Sequence, residues 1–138
     1  MSKMLVFLVL LFPLLAASSS AGAQIAKETP LVTKDPPDVP GKQGLVETVV
    51  LAPGEVDPAH RHNADVFAYV LEGSVITQVQ GAKPQTVHAG EVFYESPTDV
   101  HIASRNASTT EPATLLVFFV KPKGAPPTVA FREGNAGH

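Results

Sequence analysis

The sequence predicts an all-β fold, a single antiparallel β-sandwich or β-barrel, and three observations support this prediction. Short segments rich in Val, Thr and aromatic residues recur along the chain, with Gly or Pro turn signals at roughly every 8–12 residues. No window has the 3.6-residue apolar period that is typical of an amphipathic helix. The chain has 138 residues, which is the length of one domain.

Seven segments have the composition of strands: 44–51, 66–71, 74–80, 85–87, 91–95, 113–121 and 128–131. The first ends at Pro53-Gly54, a strong turn signal. Segment 74–80 alternates between two sets of residues, as expected of a strand with two distinct faces. Segment 113–121 is almost continuously apolar, which predicts a buried strand.

The two ends of the chain differ in composition from these segments. Residues 1–23 have a short positive start, an apolar run too short to span a bilayer and a final Ala-Gly-Ala, which predicts a secretory signal peptide cleaved after Ala23. Residues 24–43 are rich in Pro and charge, and we expect an extended arm that adds at most an edge strand. The barrel domain is then expected over 44–131, with a flexible tail over 132–138. The mature protein is expected in the periplasm or outside the cell.

Composition and charge exclude several kinds of site. The chain has no Cys, which excludes disulfides, thiolate metal ligands and a cysteine nucleophile. The formal net charge is −3, which argues against nucleic acid as a partner and against binding to an anionic membrane once the signal peptide is removed. A small-molecule ligand or substrate is the expected partner.

Histidines form the pattern that points to chemistry. His60 and His62 are two residues apart just before a predicted strand, and alternate residues of an extended segment project from the same face. His101 follows about forty residues later, at a distance along the chain from which an antiparallel barrel can return it beside the first pair. Three converging imidazoles that leave coordination positions open are typical of a catalytic type of metal site. The alternative is that His60 and His62 are exposed turn residues.

The histidine pair lies in a longer motif. Gly54, His60, His62 and Gly73 match the spacing G-x5-H-x-H-x3,4-E-x6-G, and in this respect the chain resembles the cupin family. A second cupin motif, G-x5-P-x-G-x2-H-x3-N, is matched loosely by Gly90, Pro97, His101 and Asn106. The resemblance implies a jelly-roll barrel that holds a divalent metal in its mouth, and it also implies a homodimer.

One ligand of the family motif is missing here. The glutamate expected after the second histidine is replaced by Val66, and Phe67 occupies the other permitted spacing. Gln78 and Glu95, on neighbouring predicted strands, are candidates for an extra ligand. Strand alternation places Asp65 on the face opposite the histidines.

The residues of the predicted site indicate which metals it would bind and which side chains would line its pocket. Imidazole ligands without a carboxylate favour Fe, Zn, Cu or Ni over ions such as Mn²⁺ that prefer oxygen. The residues expected to line the pocket are Val66, Phe67, Tyr69 and Phe93.

Two functional hypotheses follow from the predicted site. The first is a metal-dependent small-molecule enzyme of the oxygenase, isomerase or lyase type, in which the metal polarises a substrate oxygen or binds O₂. No catalytic residue beyond the metal ligands is identified from the sequence. The alternative is a barrel that binds a small ligand or a metal without catalysis, and a third, less favoured interpretation is a barrel without a metal.

Overall fold

The computed structural model describes residues 26–132, and within this range it is built of β-strands. The predicted signal peptide over 1–23 and all but the first residue of the predicted tail lie outside the described residues. The strands are β1 (Lys27–Lys34), β2 (Lys42–Leu51), β3 (Val56–Asp57), β4 (His60–Arg61), β5 (Asp65–Glu72), β6 (Ser74–Val79), β7 (Gln85–His88), β8 (Val92–Glu95), β9 (His101–Asn106), β10 (Ala113–Pro122) and β11 (Val129–Ala130).

The strands form two antiparallel sheets. The first has the order β1-β2-β10-β5-β8, and the second has the order β11-β4-β9-β6-β7 with β3 also paired to β9. Neighbours in a sheet are mostly distant in sequence: β10 lies between β2 and β5, for example. The result is the all-β antiparallel fold that the spacing of strands and turns predicts.

The core lies between the two sheets, because alternate side chains of each strand point inward. Most of the buried residues are apolar: Leu45, Leu51, Ala64, Val66, Ala68, Val70, Val75, Val87, Ala113, Leu115, Val117 and Phe119. In β10 the burial alternates strictly from Leu115 onward, and Phe118 and Val120 are exposed. The prediction of a buried strand is therefore right for one face of β10 and wrong for the other.

The outer face of the first sheet is apolar in its centre. Phe118 lies opposite Phe67, and Phe67 lies opposite Tyr94, so these three rings follow one another across three strands. The rings of Phe67 and Tyr94 are 5.2 Å apart. The homodimer implied by the family resemblance stays a prediction.

The N-terminal arm contributes an edge strand. β1 pairs with β2 from Lys27 opposite Val50 to Lys34 opposite Gly44, with an irregularity after Pro30. All eight of its residues are exposed. Within the part of the chain that the structure describes, no helix is long and apolar enough to cross a membrane.

Candidate metal centre

The three predicted ligands come from two short strands of the second sheet. His60 opens β4 and lies opposite His101, the first residue of β9, as well as opposite Ala130 of β11. His62 follows directly after β4. His62 and His101 are buried, with 6% and 1% of each residue exposed, whereas His60 is partly buried.

Glu95 connects the two buried histidines. Its Oε2 is 3.1 Å from His62 Nε2, and its Oε1 is 3.2 Å from His101 Nδ1. One potential ligand atom from each of His62, Glu95 and His101 lies within 4.8 Å of the others. Glu95, one of the two extra ligands considered from the sequence, is therefore placed with the histidines.

His60 lies beside this cluster and is not one of its three members. Its ring centroid is 5.0 Å from that of His62 and 5.3 Å from that of His101. Its Nδ1 is 2.9 Å from the carbonyl oxygen of Pro58. This hydrogen bond requires a proton on Nδ1, which leaves Nε2 of His60 as the atom able to bind a metal.

The C-terminal part of the barrel orients His62. The carbonyl oxygen of Pro127 is 2.9 Å from His62 Nδ1, and Thr128 Oγ1 is 3.2 Å from the same atom. Because the carbonyl can only accept, the proton of the neutral His62 ring lies on Nδ1, and Nε2 is the nitrogen that faces Glu95; Nε2 donates to Glu95 only when the ring is protonated. Histidines that bind a metal commonly donate their other ring N–H to a backbone carbonyl in this way.

The two buried histidines differ in their affinity for a proton. Burial on its own lowers the pKa of His62, but the hydrogen bond and the negative charge of Glu95 outweigh it, so the pKa is raised. The pKa of His101 is lowered, chiefly by burial and in spite of the Glu95 charge. His101 is therefore the more readily available as a neutral ligand.

The residues present fit a divalent metal. Both ring nitrogens of His101 are buried without a hydrogen-bond partner, although Glu95 Oε1 is 3.2 Å from Nδ1. Burying such atoms unsatisfied is costly, and a metal would satisfy one of them. Two imidazoles and one carboxylate are ligands that suit Fe²⁺, Zn²⁺ and similar ions. Glu95 also changes the charge expected from the sequence, because its carboxylate offsets one of the two positive charges of the metal.

The remaining predicted ligand and pocket residues divide between the two faces of their strands. The Gln78 side chain does not reach the cluster, and its amide donates instead to the carbonyl oxygen of Ala82. Asp65 faces outward, as strand alternation predicts, and accepts a hydrogen bond from Tyr94. Val66 and Phe93 do line the cavity beside the cluster. Phe67 and Tyr69 are exposed on the outer face, because they alternate with the inward residues of β5.

The cavity beside the cluster has a volume of about 250 Å³ and is lined by residues of both sheets. His60, His62 and Glu95 form part of its wall. A second cavity of about 300 Å³, lined in part by His101 and Lys83, shares Thr77, Phe93 and Glu95 with the first.

Glu47 is the cavity residue that the sequence reasoning missed. It lies on β2, is only 2% exposed and lines the first cavity. Burial raises its pKa to about 7, and the nearby negative charge of Glu28 acts in the same direction. Strand alternation could have found it, because Glu47 shares a face with the apolar Leu45 and Leu51.

Comparison with known proteins identifies the family. Residues 47–119, more than half of the chain, match the family model of the Cupin domain. The chain belongs to the cupin family. The matched cupin region contains all three members of the cluster. No curated protein sequence matches the chain significantly.

Several solved structures have a similar fold. An uncharacterised double-stranded β-helix protein from Klebsiella pneumoniae has a TM-score of 0.59 and 18% identity over 78% of this chain and 85% of its own. The DMSP lyase DddQ from Ruegeria pomeroyi has a TM-score of 0.55 and 21% identity over 63% of this chain and 42% of its own. An oxalate oxidase in complex with glycolate has a TM-score of 0.53 and 25% identity over 63% and 45%. This chain thus spans less than half the length of both enzymes.

Proposed function

We propose that this cupin binds one divalent transition metal through His62, Glu95 and His101, with His60 as a further ligand, and acts on a small molecule as a metal-dependent enzyme. The observation that carries the proposal is the buried cluster of His62, Glu95 and His101, which has Glu95 and His62 in the wall of a cavity. The oxalate oxidase and DMSP lyase relatives support a small-molecule reaction of the oxygenase or lyase type.

The protein's own residues would bind the metal and hold the ligands in place. His62 offers Nε2, because the Pro127 carbonyl fixes the proton on Nδ1. Glu95, which lies within 3.2 Å of both imidazoles, would offer a carboxylate oxygen to the metal. A bound divalent metal would supply Lewis acidity or an O₂-binding position at its open coordination sites.

The cavity walls would exclude water from that position. Leu115, Val117 and Phe119 of β10 line the cavity, and the ring of Phe119 is 5.5 Å from that of His62. Apolar walls strengthen electrostatic interactions between a metal and a substrate oxygen. A small substrate therefore fits the site better than a polymer.

Metal content of the mature protein, purified without a His tag, tests this proposal. We expect about one metal ion per chain by mass spectrometry, and loss of that ion in His62→Ala and in His101→Ala. His88→Ala is the matched control, because His88 is an exposed histidine that contacts Ser74 away from the cluster. Full metal content in both cluster variants would contradict the site. Metal binding without oxygen consumption or turnover in a substrate screen would favour the non-catalytic barrel.

We also propose that residues 1–23 direct export to the periplasm or the outside of the cell. The apolar run and the final Ala-Gly-Ala support this proposal. Intact mass spectrometry of the protein from the periplasmic fraction should give a chain that starts at Gln24. A full-length chain in the cytosolic fraction would contradict it.

A further inference from the structure

The first cavity has an unusual distribution of charge. Four carboxyl groups are in its wall, those of Glu28, Glu47, Asp57 and Glu95. Among the described residues, no Lys or Arg lines it. Glu95 belongs to the metal cluster, which leaves three carboxyl groups on the side of the cavity formed by β1, β2 and β3.

Glu47 is the most buried of these three. Its side chain lies between apolar neighbours on the inward face of β2, and its Oε1 has no hydrogen-bond partner. A buried carboxylate without a donor is destabilising, so such a group is normally paired or holds a proton. The pKa of Glu47 is raised to about 7 by burial, which agrees with the lack of a partner within the protein.

Thr77 gives a second, independent indication that the cavity receives a polar ligand. It is 8% exposed, comes from the opposite sheet, and its hydroxyl oxygen is also buried without a partner. Unpaired buried groups are rare in native proteins, and two of them in the wall of one cavity indicate that a ligand supplies the missing partners.

From these contacts we infer that the cavity binds an amphipathic organic cation, a small protonated amine whose N–H groups donate to Glu47. The apolar residues of β2 and β10 would contact its hydrocarbon part. This inference deepens the proposed function, on which it rests for the assumption that the cavity receives a small molecule. The inferred ligand is a cation, whereas the structure of the oxalate oxidase holds the anion glycolate.

Charge favours an amine over an anion or a neutral ligand. A carboxylate in this cavity would lie among Glu28, Glu47 and Asp57, and burial raises the pKa of Asp57 as well, although the charge of His60 acts in the opposite direction. An ammonium group offers donors to these oxygens and carries the opposite charge. Charge-assisted hydrogen bonds are stronger than neutral ones.

Two probes of equal size test the inference, n-butylamine and 1-butanol. Calorimetric titration of the mature protein at about pH 8 keeps the amine protonated and most Glu47 ionised. We expect n-butylamine to bind about tenfold or more tightly than 1-butanol. The preference should disappear in Glu47→Gln and persist in Glu72→Gln, a control that makes the same charge change at an exposed residue outside the cavity. No preference in the wild type, or the same preference in Glu47→Gln, would overturn the inference.

Metal content of the same samples separates this inference from the proposed function. The Glu47→Gln variant should keep the metal content of the wild type while it loses the preference for the amine. Two metal ions per chain in the wild type and one in Glu47→Gln would overturn the inference, because Glu47 would then be a ligand of a second ion. A wild type that prefers n-butylamine but holds no metal would contradict the proposed function and support the cavity assignment.

Discussion

Glu95 lies directly opposite Val66 across the β5–β8 pair. Val66 occupies the position where the first cupin motif has a glutamate, so the missing carboxylate is present on the neighbouring strand. Residues directly opposite in an antiparallel pair have Cβ atoms about 5 Å apart and project from the same face. The side chain of Glu95, a residue that the motif does not include, therefore projects from the same face as the motif position that Val66 occupies.

This pairing predicts that a carboxylate at position 66 can partly replace the one at position 95. Glu95→Val should weaken metal binding about tenfold or more, because it removes a ligand from a site in which even outer partners matter by that much. The double variant Glu95→Val with Val66→Glu should recover part of the loss. Competition with a chelating dye measures both affinities, and circular dichroism checks that each variant is folded. A double variant no better than Glu95→Val would show that the opposite position cannot replace Glu95.

Metal affinity should depend on pH through His62. A histidine must be deprotonated to bind a metal, and the pKa of His62 is raised above its ordinary value by Glu95. As the pH is lowered, the apparent affinity should therefore start to decrease before the pH reaches about 6.5. Below this onset it should decrease about tenfold per pH unit, because one proton competes with the metal. His101 should contribute only at lower pH, because its pKa is lowered. Dye competition from about pH 8 to about pH 5 measures the pH at which the metal affinity begins to decrease. An affinity that stays constant to below about pH 6 would contradict the prediction.

Glu47 should make the barrel less stable as the pH rises. Its pKa is raised from 4.5 to about 7, so the folded chain binds its proton more tightly than the unfolded chain. The stabilisation from this proton is complete below pH 4.5, decreases between 4.5 and 7, and is lost above 7, a change of about 3 kcal/mol. Glu47→Gln should lack this decrease. Urea unfolding at about pH 5 and about pH 8 measures it as the difference between wild type and variant, with Glu72→Gln as the control that should behave like the wild type.

Gly73 should tolerate no side chain. Its φ is +74°, and a Cβ there would be 2.8 Å from the carbonyl oxygen of Pro112 and 3.0 Å from the Cα of Ala113. Gly81 has a similar φ of +84° with open space around it. Gly73→Ala should therefore cost about 1–3 kcal/mol more than Gly81→Ala, since both carry the backbone strain and only the first carries the clash. Thermal unfolding of the two variants compares them, and equal losses would contradict the close approach.

The predicted strands were found because their own residues have the pattern of a half-buried strand. β9 was not predicted, because HIASRN has no apolar alternation and the strand is held by pairing with β3, β4 and β6. β1 is wholly exposed and exists as a partner of β2. Such strands depend on neighbours distant in sequence, which a local pattern cannot supply.

Only part of the candidate site was predicted, because some of its residues are also brought together by strands distant in sequence. His60 and His62 form a local motif, and both Gln78 and Glu95 were placed on neighbouring predicted strands. The pleat decides between these two, because Thr77 takes the inward position of β6 and Gln78 the outward one. Glu47 was missed because it precedes the motif, and the sheet brings it to the cavity through β10 and β5.

The hydrogen bond from His62 to the Pro127 carbonyl joins residues 65 positions apart in sequence. β4 is likewise paired on one side with β11, so the segment around His60 and His62 is held by the chain beyond Pro127 as well as by β9. During synthesis the imidazoles therefore emerge long before they can be oriented. A metal site that uses His62 would therefore be complete only after β11 has joined the sheet.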